Sequence, residues 1–148
     1  MNFEKHAAKG NEFLNRLAWH LNDPQNKDRA GRILRCVLRA LRNRLTLEES
    51  IQLMAQLPMV VKGLYVDGWA PHKLHTKIKT VEELAREVVR EDGISAKGDF
   101  AGVDDALNAI EAVMKTMANY VSPGELHNIV AILPEDMKGY FLTWVHTP

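Results

Sequence analysis

Apolar residues recur every three to four positions along most of the chain, the spacing that places side chains on one face of an α-helix. This periodicity predicts a first helix over about 3–22 and a second one with a wide aliphatic face. That face comprises Ile33, Leu34, Val37, Leu38, Leu41 and Leu45. The alternating runs and Asn-Gly turns typical of β-hairpins are nearly absent. The pattern therefore predicts an all-α protein.

Polar residues and prolines indicate where these helices begin and end. The segment 22–24, Asn-Asp-Pro, ends the first helix, and Asp28 is expected to cap the second. Thr46-Leu47-Glu48-Glu49 has the capping-box pattern, in which the threonine hydroxyl and the last glutamate each satisfy a free backbone N–H. Pro58 then predicts that a third helix ends at Leu57 and that a short fourth helix follows.

The same pattern recurs 76 positions later in the chain. The residues that match are Val37, Asn43, Glu49, Ala55, Leu57, Pro58, Lys62 and Gly63, which fall on Val113, Asn119, Glu125, Ala131, Leu133, Pro134, Lys138 and Gly139. The cap also recurs, as Ser122-Pro123-Gly124-Glu125, with proline at the first helical position, where its missing N–H costs least. A self-match at a fixed period indicates a repeated structural unit.

We therefore predict two tandem helical pseudo-repeats of about four helices each, over about 3–69 and about 80–146, joined by a linker over about 70–79. Units of this size rarely bury a sufficient core alone, so the repeats are expected to form one compact, bundle-like domain over 1–148. Gly63 and Gly139 lie inside the short fourth helices, where glycine costs about 1 kcal/mol relative to alanine. Their recurrence predicts that another backbone packs closely against each.

Bulk composition limits the class of protein. The 148 residues are 46% apolar and 26% charged, as in ordinary globular proteins. No apolar run is long enough to span a bilayer, so no membrane protein is expected. The N-terminus lacks the pattern of a secretory signal, and the one cysteine, Cys36, cannot form an internal disulfide. These features predict a cytoplasmic protein.

The net charge of zero conceals an asymmetry, because residues 1–80 carry a net charge of +7 and residues 81–148 one of −7. Much of the positive charge lies on the second helix, where Arg32, Arg35, Arg39 and Arg42 form one stripe at helical spacing. The matching positions of the second repeat, Asn108, Glu111, Lys115 and Ala118, are not uniformly basic. We take the Arg32/Arg35/Arg39/Arg42 stripe as the candidate interaction surface.

Three interpretations of this stripe remain open. The arginines can pair with acidic residues of the protein or of a partner, form a solvated face, or contact the phosphates of a nucleic acid. No aromatic residues are interleaved with them and the chain is neutral overall, which counts against nucleic acid. Pairing is the favoured interpretation.

No motif for catalysis is found in the sequence. His72-Lys73-Leu74-His75 offers two metal ligands, whereas zinc needs three or four. Cys36 has no adjacent histidine that would mark it as a nucleophile, and glycine-rich phosphate loops are absent. We expect no enzyme activity, no metal and no cofactor.

A longer set of residues resembles the bacterial family known as domain of unknown function 2267, over roughly 10–144. These residues are Phe13-Leu14, Ala30, Val37-Leu38, Leu41, Leu45-Thr46, Glu49, Leu53 and Ala55-Gln56-Leu57-Pro58, echoed by Val113, Ser122, Gly124-Glu125-Leu126, Val130 and Ile132-Leu133-Pro134. The first repeat departs from the family phrase at Glu48, where a glycine is usual, and the second at Ile132, where a glutamine is usual. The resemblance implies an all-helical bacterial protein and carries no assigned activity, cofactor or catalytic residue.

The favoured hypothesis is a non-enzymatic protein–protein interaction module or self-associating adaptor. It depends on the duplicated scaffold, the opposite charges of the halves and the missing catalytic motifs. The alternative is nucleic-acid binding through the arginine stripe. A third possibility is a small ligand held in an apolar pocket between the repeats, which a sequence cannot reveal.

Overall fold

A computed structural model describes residues 2–71 and 78–146, and all regular secondary structure in these ranges is helical. The helices are α1 (Phe3–His20), α2 (Lys27–Arg42), α3 (Leu47–Met54), α4 (Met59–Val66), α5 (Val81–Asp92), α6 (Ala96–Asp99), α7 (Val103–Met117), α8 (Pro123–Ile132) and α9 (Glu135–His146). A 3₁₀ turn, Gly93–Ser95, joins α5 to α6. The predicted all-α class is confirmed. Among the helices described, none has the length and apolar character needed to cross a membrane.

Local side-chain caps account for most helix starts. Thr46 and Glu49 form the predicted capping box: the Thr46 hydroxyl accepts from the Glu49 N–H at 3.2 Å, and the Thr46 N–H donates to the Glu49 carboxylate at 2.9 Å. The prediction that Asp28 caps α2 is wrong. Asn26 is the cap, and its side-chain oxygen accepts from the Arg29 N–H at 3.1 Å. Asp28 lies instead in the first turn, where the helix dipole favours a carboxylate.

Three later helices begin at a fixed offset from three earlier ones, and this is the same offset at which the sequence matches itself. α7, α8 and α9 begin 76 positions after α2, α3 and α4, and Ser122 caps α8 as Thr46 caps α3. The helices before each set differ, because α5 is shorter than α1 and the 3₁₀ turn and α6 follow it. The internal repeat itself stays a prediction.

The core is centred on α2. This helix packs against α1, α4, α5 and α7, and its side chains belong to one continuous cluster of buried apolar residues that extends from Phe13 to Met137. None of the residues 31–45 is exposed. The side of α2 opposite the leucines is therefore also partly covered by protein.

The close backbone packing predicted at Gly63 and Gly139 is wrong. A Cβ atom built on either glycine would have no neighbour within 4 Å. The close approach occurs at Gly10, where a Cβ would lie 3.0 Å from the Cβ of Val60, so that α1 and α4 cross there. Gly63 instead leaves space beside this crossing.

Candidate interaction surface

The first member of the arginine stripe, Arg32, is paired within the chain. Its Nε and Nη2 each donate at 2.8 Å to one carboxylate oxygen of Asp99, a bidentate contact. The neighbouring Arg29 donates at 2.8 Å to the backbone carbonyl of Asp99. Asp99 is 3% exposed, so two arginines of α2 hold the end of α6 against the core.

The last member, Arg42, is only 7% exposed and binds the backbone at the end of α4. Its Nη1 donates to the carbonyl oxygens of Tyr65 at 2.7 Å and Asp67 at 2.6 Å. Since the last carbonyls of a helix have no partner within it, this guanidinium acts as a side-chain cap. Burial and the nearby charge of Arg39 lower the pKa of Arg42.

The two middle members are partly buried. Arg39 lies 3.6 Å from the carboxylate of Asp67, whose side chain is 76% exposed. Arg35 lies beside the buried thiol of Cys36, and its Nε has no hydrogen-bond partner among the residues that the structure describes. The structure therefore places the four residues on one side of α2, but it directs Arg32 and Arg42 to acceptors in α6 and at the end of α4.

The opposite charges of the two halves meet inside the chain. Besides Arg32 and Asp99, the Nη2 of Arg44 donates to the carboxylate of Glu87 at 2.6 Å. These pairs join the segment around α2 to α5 and α6. Much of the positive charge on and just after α2 is thus paired within the chain.

An apolar groove lies between α1, α2 and α4. It has a volume of about 620 Å³ and is lined by Ala7, Gly10, Asn11, Leu14, Gly31, Leu34, Val60, Val61, Gly63, Leu64 and Asp67. Gly31 and Gly63 contribute open space to it, because a Cβ at either position would have no neighbour within 4 Å. The groove lies within the first predicted repeat, not between the repeats.

Exposed apolar side chains continue the groove at its edges. Val60 in its wall is 51% exposed, and Met59, the preceding residue of α4, is 44% exposed. Phe3 is 78% exposed and precedes Ala7 by four positions, so it lies on the same face of α1. The apolar surface is therefore longer than the cavity itself. Exposed apolar side chains next to an apolar groove are typical of binding sites.

A second, polar cavity of about 360 Å³ lies where α7 meets the end of α1 and the start of α2. It contains charges of both signs, and these are already paired: Lys115 lies 3.2 Å from Glu111, and Arg29 lies 3.7 Å from Asp105. Burial, together with the nearby Lys115, lowers the pKa of His20 in its wall. The apolar groove is the better candidate for a ligand, since residues 2–71 and 78–146 leave its surface uncovered.

Cys36 is fully buried, and burial together with the nearby Asp92 raises the pKa of its thiol to about 12. The thiol is therefore protonated at neutral pH and is a poor nucleophile. Among residues 2–71 and 78–146, no group of three or more histidine, cysteine or acidic side chains is placed to hold a metal ion. The His72-Lys73-Leu74-His75 segment considered for metal binding lies outside the described residues.

The groove was missed by sequence reasoning, which followed the large apolar residues. The available signal was the small residues Ala7, Gly10, Gly31 and Gly63, which lie on three different helices and meet in the fold. Their meeting depends on the crossing of α1 and α4, which periodicity alone does not predict.

Comparison with protein families gives a match over most of the chain. The family described as "Uncharacterized conserved protein (DUF2267)" matches residues 9–140. No curated protein matches the chain.

Proposed function

This chain belongs to the family of uncharacterized conserved proteins DUF2267, and from this premise we propose that it is a non-enzymatic interaction module whose apolar groove holds an amphipathic helix of a partner protein. The observation that carries the proposal is the groove between α1, α2 and α4 together with the exposed Phe3, Met59 and Val60 around it. Helices dock in such grooves through apolar anchors at positions i, i+3, i+4 and i+7.

The size of the apolar surface favours a helix over a small molecule. A small-molecule pocket encloses most of the ligand's surface, whereas the apolar surface here continues outside the cavity onto Phe3 and Met59. Gly31 and Gly63 leave room for a partner to approach the groove closely. Asn11 and Asp67 supply polar groups for the hydrophilic side of a docked helix, and Asp67 suits a basic one.

The ion pairs within the chain make the two competing functions less favoured. Charge-driven self-association needs unpaired charges, and Arg32 and Arg44 already pair with Asp99 and Glu87. Nucleic-acid binding needs guanidinium groups directed to solvent, whereas Arg42 donates to backbone carbonyls of its own chain.

Filling the groove tests the proposal. Gly63→Leu is expected to fold, because open space surrounds the added Cβ and leucine is a better helix former than glycine. Helical peptides with an apolar face at i, i+3, i+4 and i+7, selected from a displayed library against the wild-type chain, should bind this variant at least about tenfold more weakly, which is about 1.4 kcal/mol. The dissociation constants are measured by fluorescence polarisation.

Gly139→Leu is the matched control. It makes the same substitution in α9, at the position that corresponds to Gly63 in the second predicted repeat, also into open space and outside the groove. Its affinity for the peptides should equal that of the wild type. Equal affinity of both variants would contradict the proposal.

Two further measurements separate the competing functions. A dimer in light scattering that dissociates between about 0.05 and 1 M salt, and that Gly63→Leu leaves intact, would favour charge-driven self-association. A salt-sensitive mobility shift with DNA or RNA, abolished by the paired change Arg35→Glu and Arg39→Glu, would favour nucleic-acid binding. We expect neither result.

A further inference from the structure

Two buried carboxyl groups lie at the ends of the segment that connects α5 to α7. Asp92 is the last residue of α5 and Asp99 the last residue of α6, and they are 6% and 3% exposed. The turn between them, Gly93–Ser95, is exposed throughout. The segment therefore projects from the surface while its two ends are buried.

The two carboxyl groups differ sharply in their partners. Both oxygens of Asp99 accept from the guanidinium of Arg32, and this contact holds the pKa of Asp99 below its usual range. Among the described residues, neither buried oxygen of Asp92 has a nitrogen or oxygen donor, and the neighbouring thiol of Cys36 is only a weak donor to it. A buried carboxylate with so little hydrogen bonding is strongly disfavoured.

The surroundings of Asp92 contain charges from each neighbouring element. Arg32 and Cys36 of α2 and Asp99 of α6 act on Asp92 itself. Arg35 of α2 and Glu91 of α5 act on the adjacent thiol of Cys36. Farther along the same surface, Asp28 of α2 acts on Arg32 and Asp105 of α7 lies 3.7 Å from Arg29. The cations nearest to Asp92 are thus shared with other acids.

Protonation of Asp92 removes the cost of burying its negative charge. As a carboxylic acid, Asp92 gains an O–H donor, and the adjacent carboxylate of Asp99 is an acceptor for it. Two carboxyl groups placed together commonly share one proton, because both cannot ionise without repulsion.

We propose that Asp92 and Asp99 form a proton-operated latch, in which one shared proton keeps α6 seated on Arg29 and Arg32 of α2 and loss of that proton releases α6. Release would separate the carbonyl and carboxylate of Asp99 from these two arginines, which hold them at 2.8 Å in the closed state. The latch is independent of the apolar groove, which lies between α1, α2 and α4.

The direction of the pH dependence follows from the ionisation of Asp92. Burial, and next the neighbouring Asp99, raise the pKa of Asp92 from 3.8 to about 6. In the open state the carboxyl group is solvated and ionises at its ordinary pKa, so the closed state is fully favoured below about pH 4. That preference is lost as the pH rises through about 6, and the opening equilibrium shifts by up to about 100-fold.

Hydrogen exchange measured by mass spectrometry tests the latch. The probe is the peptide that contains α6, where the Phe100 N–H donates to the Ala96 carbonyl at 2.9 Å. After correction for intrinsic exchange, its protection in the wild type should fall about tenfold between pH 5 and pH 8. Asp92→Asn should keep its protection at both pH values, since the amide is a donor that cannot lose its proton.

Two controls and a second measurement complete the test. Asp104→Asn, an exposed acid in the first turn of α7, should behave as the wild type, and Asp99→Asn should lose protection at both pH values. Carbon-detected NMR of the wild type should show the Asp92 carboxyl titrating near pH 6. Titration near pH 4, or the same pH dependence in Asp92→Asn as in the wild type, would overturn the proposal.

Discussion

Replacing Arg42 with methionine is expected to lower the free energy of unfolding by about 3 kcal/mol. The side chain is nearly buried, and its Nη1 donates to the carbonyls of Tyr65 and Asp67 at 2.7 and 2.6 Å. Methionine keeps much of the packing volume and removes the donors. The buried carbonyl of Tyr65 would then lose its donor, which costs more than the hydrogen bond itself contributes.

Urea unfolding followed by circular dichroism measures this loss as a lower midpoint at an unchanged slope. Arg35→Met is the matched control, because Arg35 lies on the same side of α2 and is only partly buried. Its replacement should cost less than about 1 kcal/mol. If both variants lost the same stability, the capping role of Arg42 would be refuted, since loss of positive charge alone would account for the effect.

The fold was predictable to the extent that it depends on neighbours in sequence. Thr46 and Pro58 act through contacts within a few residues, and the predicted starts of α3 and α4 agree with the structure. The predicted end of the third helix at Leu57 is wrong, because α3 ends at Met54 and a turn connects it to Pro58. The start of α2 was predicted less well, because Asn26 and Asp28 are both good capping residues only two positions apart. Choosing between them requires the backbone conformation.

The candidate surfaces were less predictable, because they form between residues distant in sequence. Periodicity correctly placed the arginines on one side of α2, but not the elements that cover that side. Arg32 finds its partner Asp99 67 positions away, and Arg42 finds Tyr65 23 positions away. The spacing of side chains along a helix does not predict such contacts. The groove has the same origin, since three separate helices form its walls.

Breaking the pair between Arg44 and Glu87 should also cost about 3 kcal/mol, measured for Arg44→Met by the same unfolding experiment. Glu87 is 7% exposed and accepts from Arg44 Nε at 2.9 Å and Nη2 at 2.6 Å. Without the guanidinium, the buried carboxylate keeps the amide of Asn43, at 3.2 Å, as a neutral donor. A neutral amide compensates a buried charge less well than a guanidinium does.

The double variant Arg44→Met, Glu87→Leu tests whether the loss comes from the carboxylate that is left buried without its cation. It should recover most of the lost stability, because apolar residues in place of a buried ion pair are commonly tolerated. The exposed pair Arg86–Glu82, on the same helix α5, is the control, and Arg86→Met should cost less than about 0.5 kcal/mol. A loss as small for Arg44→Met as for Arg86→Met would contradict the prediction. A large loss that the double variant recovers would mean that the opposite charges of the two halves act within one chain, leaving the apolar groove rather than charge to recruit a partner.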